Sequence, residues 1–212
     1  MSTAEIKAVF WDFGGVILSS PFDAFNEYEA ANGVPADFIR SVNATNPDTN
    51  AWALIERHEV DADAFDDLFA AESEALGHRI PGRAVLGMLS GSVRPDMVAA
   101  LDTVIDAGYI TACLTNNVRS SDPRGARPEV DAVMAKFDHV VESSAVGCRK
   151  PETRFYEIAC EVAGVAPGEC VFLDDLGINL KPARAMEMTT IKVLTADQAI
   201  TDLEAVLGIS LR

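Results

Sequence analysis

Three apolar runs in this chain end abruptly in polar side chains. Asp12 ends the run Ala8 to Trp11, Thr115 and Asn116 end Tyr109 to Leu114, and Asp174 and Asp175 end Cys170 to Leu173. Lys150, directly before Pro151, lies in the loop after a fourth run, Phe137 to Val141. Runs of this length and type read as buried strands, and in a parallel sheet all carboxyl ends share one edge, where ligands bind. These side chains would therefore meet at one crevice: three carboxylates, a hydroxyl, an amide and an ammonium. Hard oxygen ligands suit Mg²⁺, whose sites typically combine one or two carboxylates with waters and a substrate phosphate. The set has the composition of a phosphate and magnesium site.

Each feature alone has a plainer reading. Asp12 could cap the turn made by Gly14 and Gly15, and Thr115 and Asn116 could be turn formers. Asp174 and Asp175 could cap a helix starting near Asn179. A lysine such as Lys150 is most often solvated. The joint occurrence of four strand-end features at one sheet edge argues for a site.

The elements that must position these groups follow from the hydrophobic pattern. After the first strand, Pro21 to Gly91 contains no strand pattern. Phe22, Phe25, Tyr28 and Glu29 begin a helical pattern that ends near Asn32-Gly33. Pro35 opens a second short helix, and Trp52 to Arg57 form a third. Asp61 reads as the N-cap of a helix carrying Phe65, Leu68, Phe69 and Leu76 on one face, stopped by Gly77. About seventy residues of helical material thus interrupt the core, far beyond an ordinary strand–helix connection of roughly 2–6 residues. An inserted helical module is expected at 19–91, with the α/β core at 1–18 and 92–212.

From Arg94 the pattern is regular. Met97, Leu101, Val104 and Ile105 mark a helix closed by Gly108. Pro128 opens a helix with Val130, Val133, Met134 and Phe137. Phe155, Ile158, Ala159 and Val162 mark another, closed by Gly164. Asn179 to Met186 is a helix and Thr190 to Leu194 a final strand. Glu142 to Pro151 reads as a loop, and Ser120 to Pro128 as a polar loop containing Pro and Gly. Strands alternating with helices predict an α/β fold: a Rossmann-like parallel sheet with helices on both faces.

At 212 residues the chain is long enough for one large domain or a core with an insert. Hydrophobic content of 49% and charged content of 24% are those of a soluble globular protein. A formal net charge of −16 argues against nucleic acid and anionic membranes, whose phosphates need Lys and Arg. It permits a small phosphorylated metabolite held by a few local cations or a metal. A homodimer is left open. MSTAEIK has no basic region followed by an apolar stretch, so a cytoplasmic protein is expected. Cys113, Cys148, Cys160 and Cys170 form no metal-type pair. Three read as core residues, and Cys148, between Gly147 and Arg149, is the one candidate reactive thiol. His58, His78 and His139 show no ligand spacing.

With these residues in view the chain resembles the haloacid dehalogenase-superfamily hydrolases. Asp12 in DFGGVIL, Thr115 in LTNN, Lys150 in GCRKP and Asp174-Asp175 in FLDDLGINLKPAR match the four motifs of that superfamily in order and spacing. The similarity is strongest to the subgroup containing the amino-terminal phosphatase domain of soluble epoxide hydrolase, especially over Phe137 to Val193. The stretch around Trp52, Glu56-Arg57 and Phe65 is similar to the helical cap of that subgroup.

The resemblance implies roles. Asp12 would be the nucleophile that forms an aspartyl-phosphate. The Asp12 carboxylate, the Gly14 carbonyl and Asp175 would hold Mg²⁺. Asp174 would orient the waters of the metal or Lys150. Thr115 and the amide of Asn116 would bind phosphoryl oxygens, Lys150 would stabilise the charge of Asp12 and phosphate, and Asn179 would brace the fourth motif.

One position departs from the family. Its phosphatases usually carry a second aspartate two residues after the nucleophile, as general acid and base; here that residue is Gly14. Such a group contributes about 10²–10⁴-fold in rate. The expectation is a Mg²⁺-dependent phosphatase restricted to good leaving groups, or one whose acid comes from the insertion, with His58 and Glu27 as candidates. The alternative is a non-catalytic module that binds a phosphorylated ligand or a protein. A haloacid dehalogenase is a further alternative, disfavoured because paired carboxylates without a metal would repel a haloacid.

Overall fold

The computed structural model describes residues 5–118 and 127–212. The expected polar loop from Ser120 to Pro128 lies outside the described residues as far as position 126. The strands are β1 (Ala8–Trp11), β2 (Ile110–Thr115), β3 (His139–Glu142), β4 (Cys170–Asp174) and β5 (Thr189–Lys192). All pair in parallel, in the order β3-β2-β1-β4-β5. The chain leaves β1 for one side of the sheet and returns to build the other beyond it. The order therefore reverses between β1 and β4, the place where open α/β sheets bind ligands.

All four residues of β1 are buried, as expected of a central parallel strand with both faces covered. Val9 and Trp11 join one core cluster with Met97, Leu101 and Val104 of α6 (Pro95–Asp106). Ala8 and Phe10 join the opposite cluster with Phe155 and Ala159 of α9 (Thr153–Ala163) and Leu180 of α10 (Gly177–Ala185). Burying each large side chain of β1 contributes roughly 1.5–3 kcal/mol, which fixes the strand that carries Asp12.

Between Leu18 and Val93, which pair across an isolated antiparallel bridge, the chain forms α1 (Phe22–Asn32), α2 (Phe38–Ala44), α3 (Ala51–Glu56), α4 (Ala62–Ala75) and α5 (Gly82–Gly87). These helices have their own core of Phe25, Ile39, Phe65, Phe69, Ile80 and neighbours. The Asp61 side chain caps α4, accepting from the Ala64 N–H at 2.9 Å.

Several local expectations shift. Leu68 and Leu76 are 39% and 45% exposed, because the buried face of α4 runs through Phe65, Phe69, Ala70 and Ser73 instead. Val162 is likewise exposed, its helix burying Tyr156, Cys160 and Ala163. The loop after β3 contains a short helix, α8 (Ser143–Val146), closed by Gly147 in the left-handed region at φ 71°. Phe137 falls beyond the end of α7 (Pro128–Met134). Past the final strand the chain continues into α11 (Ala196–Leu207), opened by a capping box of Thr195 and Gln198. Its Ala199, Ile200 and Leu203 complete the first core cluster. Among the described residues no helix is long and apolar enough to cross a membrane.

Candidate active site

Asp12 follows β1 directly, its N–H donating to the Leu173 carbonyl of β4 at 2.8 Å. The next residues make a wide turn closed by the Leu18 N–H on the Phe13 carbonyl. Inside it Gly14 is extended at φ −69°, ψ 134°, and Gly15 is left-handed at φ 75°. Asp12 Oδ1 accepts from the Phe13 N–H at 2.6 Å and faces Lys150 Nζ at 2.8 Å. Oδ2 has no hydrogen-bond partner among the described residues. One oxygen is thus fixed and the other is presented to the crevice.

Asp174 is the last residue of β4 and fully buried. Lys150 Nζ lies 2.8 Å from its Oδ2, so the ammonium bridges Asp12 and Asp174. Asn179 Nδ2 donates to both Asp174 oxygens at 3.1 Å, and the Leu176 N–H donates to Oδ1 at 2.8 Å. The Tyr156 hydroxyl in turn donates to the Asn179 carbonyl at 2.6 Å. Asp174 does not cap α10, whose N-cap residue is Leu176 with no side-chain cap; it holds the turn before the helix through the Leu176 N–H while paired to a buried cation. Lys150 is 1% exposed, which excludes a solvated lysine.

These charges reshape each other. Burial pushes the Asp12 carboxyl well above the usual range, with Lys150 pulling it back and Asp174 and Asp175 pushing it further up. Burial alone would lower the Lys150 ammonium, but Asp12 and Asp174 outweigh it and hold the lysine charged. Asp175 is pushed up to about 6, by burial first and by Asp174 second. Three carboxylates face one ammonium, so the cluster carries an excess of negative charge that a divalent cation would balance.

The donor set fits such an ion. Oxygens of Asp12, Asp174 and Asp175 lie within 4.8 Å of one another. Asp174 is already held by Lys150 and Asn179, while Asp12 Oδ2 has no hydrogen-bond partner among the described residues and Asp175 has only its own N–H. Carboxylate oxygens are the ligands that Mg²⁺ prefers.

Thr115 ends β2, and neither its hydroxyl nor the Asn116 N–H has a hydrogen-bond partner among the described residues. The Asn116 side chain is fully engaged. Its Nδ2 donates to the Lys150 carbonyl at 2.9 Å and its Oδ1 accepts from the Lys150 N–H at 2.9 Å. Asn117 ties the same turn to β3 and α8 through Glu142 and Ser143.

The structure brings Asp12, Gly14, Thr115, Asn116, Lys150, Asp174, Asp175 and Asn179 to one edge of the sheet. It does not bring His58 or Glu27 there. Both are exposed, and neither makes a hydrogen bond or ion pair with the crevice residues. The helices between β1 and β2 instead send in Glu56, 5% exposed, from the end of α3. Its Oε2 accepts from Asn116 Nδ2 at 3.2 Å and lies 2.6 Å from Arg149 Nε, while Oε1 accepts from Trp52 Nε1 at 2.9 Å. The signal for Glu56 in the sequence is its spacing of four from Trp52, which stacks the two on one helix face. Arg149 had no signal beyond adjacency to Lys150. Cys148 is buried, and burial raises its thiol pKa, the opposite of what a reactive thiolate needs.

A sequence profile of the haloacid dehalogenase-like hydrolases matches residues 6–186, a span that contains every residue of this crevice. The chain belongs to that family. Among the relatives of this haloacid dehalogenase-like hydrolase, rat bifunctional epoxide hydrolase 2 is 34% identical over 216 residues, covering 96% of this chain and 39% of that protein. A sesquiterpene phosphatase of Aspergillus oryzae is 24% identical over 207 residues, covering 95% of this chain and 97% of that one. The chain spans less than half the length of the mammalian relatives it matches. In fold, the hydrolase resembles a family enzyme from Bacteroides thetaiotaomicron solved with magnesium and inorganic phosphate. That match has a TM-score of 0.60 at 18% identity and covers 93% of this chain and 98% of the other.

Proposed function

We propose that this hydrolase cleaves small phosphate monoesters in a Mg²⁺-dependent reaction through an aspartyl-phosphate on Asp12. The observation that carries the reading is the buried Lys150, 2.8 Å from both Asp12 and Asp174, which fixes one Asp12 oxygen and leaves the other free. A phosphatase among the relatives of the chain supports the same reading.

In this reading the Asp12 carboxylate attacks phosphorus. The new O–P bond forms as the ester P–O bond breaks, and the electron pair leaves on the alcohol oxygen. Water then attacks phosphorus, the bond to Asp12 breaks, and phosphate departs with the carboxylate restored. Lys150 offsets the negative charge of Asp12 and of the phosphoryl group as they approach. The Thr115 hydroxyl and the Asn116 N–H, both unpartnered among the described residues, donate to phosphoryl oxygens. Asp174 and Asn179 hold Lys150 in place. Neutralisation of the transferring phosphoryl group is what Mg²⁺ supplies when held by Asp12, Asp175 and the Gly14 carbonyl.

No side chain at Gly14 protonates the leaving group, so good leaving groups are favoured: aryl phosphates, sugar 1-phosphates or acyl phosphates. Residues 19–91 serve as a cap that closes over the crevice of the core formed by 1–18 and 92–212. The substrate is a small phosphorylated metabolite of the cytoplasm. Dehalogenation is disfavoured by the excess negative charge of the cluster, which repels a haloacid.

The absent acid also favours a second reading, in which the crevice binds a phosphorylated ligand without turning it over. One experiment separates the two. Hydrolysis of an aryl phosphate and an alkyl phosphate is measured with Mg²⁺, for wild type and Asp12→Asn. Aryl turnover that disappears in Asp12→Asn is the expected result. No turnover of either ester, with Mg²⁺ still bound, would establish the binding module.

A further inference from the structure

Glu56 is the carboxylate that the insertion delivers to the core. Its two oxygens engage three groups, and two of those groups belong to the loops that carry phosphate-facing residues. Asn116 lies beside Thr115 at the end of β2; Arg149 lies beside Lys150. The Asn116 side chain closes a reciprocal pair with the Lys150 backbone, 2.9 Å in each direction. A continuous path thus runs from α3 through Glu56 and Asn116 to Lys150, and from Lys150 Nζ to Asp12.

The surroundings make this path stiff. The Glu56 and Arg149 side chains are 7% and 13% exposed, so their pairing is little screened by solvent. Trp52 Nε1 holds the remaining Glu56 oxygen from within α3. Other links also fasten the insertion to the core: Arg149 Nη1 donates to the Pro47 carbonyl at 2.8 Å, and Arg57 Nη1 to Glu152 at 3.2 Å. Seating of the insertion therefore does not depend on Glu56 alone, and the Glu56 contacts have a separate consequence at Asn116 and Lys150.

We infer that Glu56 is a positioning residue: gripping Asn116 and Arg149 together, it holds the Thr115-Asn116 turn and the Lys150 loop at fixed separation over Asp12 while the insertion is seated. The inference rests on the hydrolase reading above and extends it to a residue outside the four motifs. A displaced Lys150 or Asn116 misaligns groups that act on the transferring phosphoryl. Misplacement on the ångström scale costs up to about 10²-fold in rate.

The test is steady-state hydrolysis of an aryl phosphate with Mg²⁺ by wild type, Glu56→Ala and Glu56→Gln, with melting temperatures measured in parallel. Well below its melting temperature, Glu56→Ala is expected to lose about tenfold or more in kcat, with KM changing far less. Glu56→Gln keeps an acceptor for Asn116 and should recover part of the loss. A residue that only stabilises the fold would lower the melting temperature and leave kcat unchanged, and that result overturns the inference. Should Glu56→Ala fail to fold, Glu56→Asp, charged but one methylene too short, takes its place under the same criterion. If wild type turns nothing over, the hydrolase reading fails and Glu56 is judged by calorimetric binding of inorganic phosphate with Mg²⁺. Binding weakened about tenfold in Glu56→Ala then supports positioning. Unchanged binding, or none in wild type, overturns it.

Discussion

Gly15 and Asp175 are packed so closely that a Cβ built on the glycine would fall inside the Asp175 carboxylate. The glycine is also left-handed, at φ 75°, a conformation that L side chains resist. Gly14, one residue earlier, is the reverse: φ is −69° and nothing lies within 4 Å of its notional Cβ. Two adjacent glycines thus have opposite tolerances. Gly15→Ala is expected to cost about 1–3 kcal/mol in urea denaturation and to displace Asp175, weakening the Mg²⁺ response. Gly14→Ala should leave stability within about 1 kcal/mol of wild type. Equal losses at the two positions would contradict this account.

The open space beside Gly14 also admits an aspartate. Gly14→Asp places a carboxyl where phosphatases of the family usually carry their acid. Alkyl phosphate turnover should rise, by up to about 10²-fold, with aryl turnover changing much less. A rise of equal size for both esters would place the deficit elsewhere than in protonation of the leaving group.

Removal of the bridging cation leaves Asp12 and Asp174 buried without a counter-charge. Lys150→Met is therefore expected to destabilise the fold by about 3–5 kcal/mol at neutral pH. Aryl phosphate turnover, measured on the folded fraction, should fall by about 10²–10³-fold. Urea titrations at pH 7 and pH 5 check the cause, since protonation of the raised Asp12 carboxyl at the lower pH should shrink the penalty.

The raised Asp175 carboxyl makes stability depend on pH. Burial and Asp174 push it up to about 6 in the folded chain, above the ordinary aspartate value of about 3.9 that approximates the unfolded one. The folded state binds the extra proton, so stability is greatest below about pH 4 for this group and is lost as pH rises through about 6. Asp12, raised in the same direction, adds to the trend. In chelator, Asp175→Asn should therefore melt higher than wild type at pH 7 and match it near pH 4. Mg²⁺ should raise the melting temperature of wild type more at pH 7 than at pH 5, because it competes with those protons. A Mg²⁺ shift that is independent of pH between 5 and 7 would count against the carboxylate cluster as the binding site.

Much of the site was legible because it is encoded locally. An apolar run that stops at a carboxylate marks both the strand and the edge where its last side chain emerges. Asp12, Thr115, Asp174 and Asp175 all carry that local signal. Helix ends written in Asp61, Gly33 and Gly164 were legible for the same reason: capping and left-handed termination act over a few residues. The outward turn of Leu68 and Leu76 was not, because which stripe of a helix is buried depends on what packs against it. The capping box of Thr195 and Gln198 gave α11 a local signal, but its place in the core depends on Met97 and Leu101, far away in sequence.

The sequence by itself determined the alternation of strands and helices, the polar ends of the strands and the residue types gathered at the sheet edge. Those follow from periodicity and residue type, which act along the chain. Only the tertiary structure decided that Lys150 is buried between Asp12 and Asp174, that Gly15 lies against Asp175, and that Glu56 reaches Asn116 across 60 positions of sequence. Such pairings depend on how α1–α5 pack beside the sheet and how loops fold back over its edge. They are set by the summed packing of many side chains, and no short stretch of sequence contains that sum.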